Sequence, residues 1–136
     1  MWPRVNGLRT LELGTPGEMR RRLNDLVLQG TKQATCGLKH EDYDVEAEAI
    51  EEAGEILALV NDEGNAEATV EVVAVTQCRF GEITWEMAAL EGEGDENLEE
   101  WRTGHQRYWK RENNLDVTDD TEVVWLQIRV LQPEEF

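Results

Sequence analysis

The sequence predicts one α+β domain in which helices flank a mixed or antiparallel β-sheet, and three observations predict it. Two segments carry helix caps followed by apolar residues at helical spacing. Several others are rich in β-branched residues and set apart by turn signals. The length of 136 residues, with 40% hydrophobic content, suffices for one core and not for two well-packed ones.

The first helix is signalled by Thr15-Pro16-Gly17-Glu18, with threonine as the N-cap, proline at the first helical position and a capping-box glutamate three residues after the cap. Met19, Leu23, Leu26 and Val27 share one face, and Gly30 is placed to end the helix in a left-handed cap. Residues 31–36 then read as a short extended segment, which puts Lys32 and Thr35 at the mouth of a strand. The acidic, alanine-rich stretch 41–55 is either a solvated short helix or a loop. Residues 56–60 and 66–76 are strands joined by the hairpin pattern Asn61-Asp62-Glu63-Gly64-Asn65, with alternation along 69–74 marking one better buried face. Residues 81–90 contain a helical turn or short helix. A second strong helix is capped by Asn97 with Glu100 three residues on, and carries Leu98, Trp101, His105, Tyr108 and Trp109 along one stripe. Residues 122–131 form a long strand, after which Pro133 and two glutamates are expected to end the fold.

Composition limits the partners. Thirteen Lys and Arg stand against thirty Asp and Glu, a formal charge of −17. Phosphate backbones are bound largely through Lys and Arg, so coating of nucleic acid and binding of long duplex DNA are not expected. Cations concentrate at Arg20, Arg21, Arg22, Lys32, Arg102, Arg107, Lys110 and Arg111, which a fold could gather around one cleft or leave as solvated helix faces. No apolar run approaches the roughly 18 residues of a membrane helix, and no apolar stretch of a secretory leader follows Met1, so a cytoplasmic protein without membrane contact is expected. Cys36 and Cys78 are far apart and lack CxxC spacing, which suggests two small core or near-core thiols. No cofactor or metal motif is legible.

Two segments bear chemistry. Gly30-Thr31-Lys32-Gln33-Ala34-Thr35 sets an amine near a hydroxyl just after a helix end, and Glu91-Gly92-Glu93-Gly94-Asp95 alternates three carboxylates with two glycines. The second is not a dinucleotide fingerprint, because Asn97 stands where a third glycine would be, and it lacks the spacing of a calcium loop. It is either a plain acidic turn before a helix N-terminus or a set of carboxylates aimed into a cleft. The helix stripe is similarly two-sided. Arg102, Arg107 and Lys110 could engage phosphates while Tyr108 or Trp109 stacks on an unpaired base, or Trp101, His105 and Tyr108 could simply be core. Trp2, Trp85 and Trp125 show no site pattern.

Taken together, the segment 26–35 with its G-x-K-x-A-T element, Phe80 leading to the EGEGD element, and Leu98, Trp101, Arg102 and His105 in an L-x-x-W-R-x-x-H helix resemble the ASCH domain, over residues 11–130. The resemblance implies a PUA-like β-barrel with helices flanking a cleft, and roles in RNA binding, RNA cleavage or RNA-linked metabolism. One branch of that family hydrolyses the acetyl amide of N4-acetylcytidine with a lysine, a threonine and a glutamate. Those map onto Lys32, Thr35 and Glu93, with Glu91 next in line.

Such a trio suits amide hydrolysis if Thr35 attacks the carbonyl, a neutral Lys32 accepts its proton and Glu93 protonates the leaving nitrogen. A charged Lys32 would instead anchor a phosphate or oxyanion. The expected ligand is a modified nucleoside or nucleotide, or a short single-stranded RNA, contacted also by Glu91, Asp95, Arg102, His105, Tyr108 and Trp109. An amidohydrolase ranks ahead of a ribonuclease, and a non-catalytic RNA-binding module is the alternative to both.

Overall fold

The computed structural model describes residues 1–132; Pro133 and the glutamates after it lie outside them. Six strands form one mixed sheet: β1 (Arg4–Val5), β2 (Leu8–Leu11), β3 (Ala34–Leu38), β4 (Ile56–Val60), β5 (Ala66–Arg79) and β6 (Glu122–Val130). Their spatial order is β1-β2-β4-β5-β6-β3. The β4–β5 hairpin is antiparallel, as its turn signal predicts, whereas β2 runs parallel to β4. Among the described residues three α-helices accompany the sheet: α1 (Glu18–Leu28), α2 (Trp85–Ala89) and α3 (Leu98–Asn113).

The α+β class and the mixed sheet stand; closure into a barrel does not. The sheet ends in β1 and β3, and no ladder joins these two edges among the described residues. The reason is visible at the seam, where side chains take the place of a strand partner. The Leu38 N–H of β3 is given to Asp42 Oδ2 at 2.8 Å, and the Trp2 indole donates to the Asp42 carbonyl at 3.0 Å. Asp42 sits in a π-helical turn, Lys39–Asp44, and the rest of the acidic stretch, 45–55, is a loop leading into β4.

Strand β6 shows how the sheet divides the core. Val124, Leu126 and Ile128 join Leu23 and Val27 of α1 with Leu57, Leu59, Val70 and Val72, while Val123 and Trp125 join Phe80, Trp101 and Trp109 of the α3 side. Alternate residues therefore face opposite layers, the period of two that its β-branched run implies. Val70 and Val72 are buried while Val73 faces outward, the alternation read from the sequence, and a bulge between Val72 and Ala74 shifts the pairing with β6 beyond it.

The helix caps differ from one another. Asn97 Oδ1 accepts the Glu100 N–H at 2.9 Å, as predicted, and the Glu100 carboxylate reaches back to the Glu96 N–H. Helix α1, by contrast, is capped not by Thr15 but by Gly17, at φ 105°, whose N–H goes to Asp62 of the β4–β5 turn. A tertiary acceptor displaced the local one. Both cysteines are free and half-buried, and burial pushes the Cys36 thiol well up. Among the described residues no helix is long and apolar enough to cross a membrane.

Candidate functional site

The seam where a barrel would close is a cavity of about 510 Å³. One wall comes from β2, the following residues 12–14 and the turn that holds Asp42 and Tyr43; the other comes from β3, the 91–95 loop and α3.

Lys32 reaches this cavity because two backbone devices meet beneath it. Helix α1 ends with Gly30 at φ 79°, and the Thr31 and Lys32 N–H groups both return to the Leu26 carbonyl, turning the chain into β3. From the other side the 91–95 loop is clamped on the same segment: Gln33 donates to the Leu90 carbonyl at 2.7 Å, and Gly92 at φ 63° lies against Thr31 so closely that a Cβ there would collide with its carbonyl. The two motifs, some sixty residues apart in the chain, are thus in backbone contact.

The side chains follow. Lys32 is 2% exposed and its Nζ donates to Glu93 Oε2 at 2.7 Å and to the Ala34 carbonyl at 2.8 Å, with Glu91 Oε1 at 3.8 Å. All three neighbours are acceptors, the surroundings of an ammonium. Glu91 is also 2% exposed; its Oε1 lies 3.2 Å from His105 Nε2, and its Oε2 is buried with no hydrogen-bond partner. Thr35 stands on β3 opposite Leu126 and lines the same cavity.

His105 is held on three sides. Its Nδ1 lies 2.9 Å from the Trp101 carbonyl, its ring stacks on Trp101 at 4.1 Å between centroids, and it meets Trp109 edge-on at 5.3 Å. Burial pulls this imidazole down, but the hydrogen bond and charge of Glu91 outweigh it and leave the histidine raised above its usual range. Asp95 is raised too, by burial first, against the opposing pull of His105.

The structure brings together Lys32, Thr35, Glu91, Glu93, Asp95, His105, Tyr108 and Trp109 around one cavity, but not Arg102. Arg102 turns away and donates to the Gly81 carbonyl at 3.1 Å. Trp109 is largely core against Phe80, and Tyr108 lies under the Arg111 guanidinium at 5.5 Å. Nor do the basic groups converge. Arg20 is buried on the Leu13 and Gly14 carbonyls, Arg22 holds the Glu93 carbonyl at 2.6 Å, and Lys110 pairs with Asp116. Among the described residues no arginine lines the cavity.

The opposite wall carries residues the sequence did not flag. Glu12, Asp42, Glu46 and Glu51 add carboxylates there, and Trp2 stands edge-on to Tyr43 at 5.2 Å. Burial raises Asp42 and Glu51, and Glu51 takes the Tyr43 hydroxyl hydrogen at 2.8 Å. The only sequence signal was an aromatic inside an acidic run. Among the described residues no three acidic, histidine or cysteine side chains are grouped as a metal ion would need.

A family model described as the ASCH domain matches residues 10–132. No curated relative matches the chain. Among solved structures, an ASCH domain from Lactobacillus crispatus is similar at 25% identity with a TM-score of 0.75, over 89% of this chain and 77% of that one. A protein from Enterococcus faecalis V583 is similar at 26% identity and TM-score 0.75, over 88% and 74%. An ASCH protein from Zymomonas mobilis, solved as a mutant, shares the fold alone, at 7% identity and TM-score 0.51 over 85% and 72%.

Proposed function

The chain belongs to the ASCH domain family, which is linked to RNA binding, and on that premise we propose that its cleft takes a free modified pyrimidine nucleoside in the cytoplasm and hydrolyses the acyl amide on its exocyclic nitrogen. N4-acetylcytidine is the first substrate to try. The observation that carries this reading is the buried Lys32–Glu93 pair, 2.7 Å between Nζ and Oε2, in the same cavity as the Thr35 hydroxyl.

The pair supplies a balanced proton route. Lys32 passes one proton to Glu93; the resulting amine takes the Thr35 hydroxyl proton as Oγ1 attacks the acetyl carbonyl; and protonated Glu93 delivers its proton to the departing exocyclic nitrogen. Cytidine leaves, the acetyl group stays on Thr35, and the lysine and glutamate return to their starting charges. Water reverses the sequence, giving a proton to Glu93 and its hydroxyl to the ester while Lys32 reprotonates Oγ1. The final transfer from Glu93 back to Lys32 resets the site.

Charge favours a nucleoside over an RNA strand. A wall of Glu12, Asp42, Glu46 and Glu51 facing Glu91, Glu93 and Asp95 repels phosphates, and among the described residues no arginine lines the cavity to hold them. The same feature ranks a ribonuclease lower. One observation favours a binding module without turnover: Lys32 already donates to two acceptors, and an ammonium that never gives up its proton can only anchor a ligand.

The test is chromatography of purified protein incubated with N4-acetylcytidine, and separately with a short single-stranded RNA, for wild type, Thr35→Ala and Lys32→Ala. The expected result is cytidine from wild type only, with Thr35→Ala still binding the nucleoside. Intact nucleoside with wild type would reject the hydrolase. Steeply salt-dependent RNA binding would then favour the module.

A further inference from the structure

We propose that His105 is a positioning residue: as an imidazolium fixed between the Trp101 carbonyl and Glu91, it holds Glu91 away from Lys32 and so leaves Glu93 as the lysine's proton partner. This deepens the reading of the cleft given above and rests on it for the catalytic consequence alone; the charge arrangement stands on the geometry.

A backbone carbonyl only accepts, so the 2.9 Å contact to Trp101 places a hydrogen on Nδ1. Nε2 faces Glu91 Oε1 at 3.2 Å, and a carboxylate likewise accepts, which places a second hydrogen on Nε2. A ring with both hydrogens is cationic. The stacked face of Trp101 at 4.1 Å and the edge contact with Trp109 leave it little freedom to rotate out of this arrangement.

The groups around the ring agree. From the 91–95 loop Glu91, Glu93 and Asp95 all act on it or are acted on by it, and from the β3 side Lys32 stands beyond Glu91. The order is therefore Glu93, Lys32, Glu91, His105, with charges alternating along the chain. Glu91 Oε1 lies 3.2 Å from His105 but 3.8 Å from Lys32, whereas Glu93 Oε2 lies 2.7 Å from Lys32. His105 has taken Glu91, and Lys32 has been left to Glu93.

Removing the imidazolium should reverse that choice. Glu91 Oε2 is already without a donor, so loss of His105 Nε2–H leaves a buried carboxylate whose nearest cation is Lys32. Lys32 then swings toward Glu91, the short contact to Glu93 lengthens, and the proton route opens at its first step.

The experiment has two readouts. The chain holds only two histidines, so imidazole resonances of nitrogen-labelled protein are resolved without ambiguity. The expected result is that His105 shows both ring hydrogens at pH 6 and titrates above the usual value of about 6.5, and that Glu91→Gln brings its titration below that value. In turnover of N4-acetylcytidine, His105→Gln and His105→Phe are expected to lower kcat by about 100-fold, the scale of a misplaced reacting group, with KM little changed. Wild-type activity should fall as pH rises through the His105 titration, and that alkaline limb should vanish in His105→Gln. A ring bearing one hydrogen at pH 6, or a titration unmoved by Glu91→Gln, overturns the proposal whether or not the nucleoside is hydrolysed. Turnover by His105→Gln with the wild-type rate and pH profile overturns the positioning role in a working enzyme. Absence of turnover in the wild type, with both ring hydrogens present, counts against the hydrolase alone.

Discussion

Two acidic stretches of similar composition meet opposite fates in this fold. In the run 41–55, Glu48 and Glu55 are neutralised by arginines of the neighbouring N-terminal strands, whereas the 91–95 loop wraps around a buried lysine and a half-buried histidine. In the first, Glu48 accepts from both Arg4 guanidinium nitrogens at 2.7 and 3.0 Å, and Glu55 receives a two-pronged grip from Arg9 at 2.6 and 2.7 Å. Those pairs keep solvent at one edge. In the second, Lys32 is almost wholly enclosed and one oxygen of Glu91 is left unpaired. The lesson is that ion pairs at a rim stabilise a surface cheaply, while ion pairs with an unpaired buried oxygen mark a place where the fold tolerates a cost.

The largest expected effect that tests this contrast is Lys32→Met, which strands Glu91 and Glu93 against a thioether. Loss of about 3–5 kcal/mol of stability in denaturant titration is expected, the range for breaking one side of a buried pair. A change under about 1 kcal/mol would mean that water already reaches the pair. Next comes Gly92→Ala, where a positive φ and the Thr31 carbonyl act together; a loss of about 3 kcal/mol is expected. Gly94→Ala, with φ 104° and open space around it, should cost only about 1 kcal/mol, so equal losses at the two glycines would refute the clamp.

Smaller effects belong to the rim. Arg9→Gln is expected to cost about 1 kcal/mol, since its two-pronged partner Glu55 is partly solvated, and to leave turnover of the nucleoside unchanged. Thr35→Ala is the inverse: under about 0.5 kcal/mol in stability, yet loss of turnover.

The pH dependence should separate the two regions by sign. The hydrogen bond from Arg4 holds the Glu48 carboxyl down at about 2. A depressed acid contributes stability that is complete above its unfolded value of about 4.3 and lost as pH falls through the folded one. His105 is raised, so its contribution is complete below about 6.5 and lost as pH rises through its folded value. Backbone hydrogen exchange should therefore loosen around Trp2, whose N–H sits on Glu48 at 2.7 Å, in acid, and around residues 91 and 105 in alkali. Loosening of both regions at the same end of the scale would break the comparison.

Much of this arrangement was legible before any tertiary information. The Asn97 cap, the β4–β5 turn and the long β6 strand are written in side chains within a few residues of where they act, so local chemistry sufficed. The cap of α1 was misread because Asp62, forty-five residues away, outcompeted Thr15. Arg102 looked like a phosphate ligand because a helix stripe does not say which neighbour its cations will meet; here it met the Gly81 carbonyl. Trp2 shows no site pattern in the sequence, and Tyr43 no signal beyond its acidic run, because their role depends on a seam that only the folded sheet creates.

The sequence by itself determined the α+β class, the family, and the pieces of the site: a lysine and a threonine just past a helix end, and carboxylates alternating with glycines. Helical and strand periods, turn glycines and motif order are properties of neighbours along the chain, and they survive without tertiary context. Only the tertiary structure decided that the sheet stays open, that the open seam is the cavity, and that Lys32 pairs with Glu93 while His105 takes Glu91. Those choices turn on differences of about an ångström between groups up to sixty-one residues apart, and Coulombic and hydrogen-bond energies in a buried site change sharply over such distances.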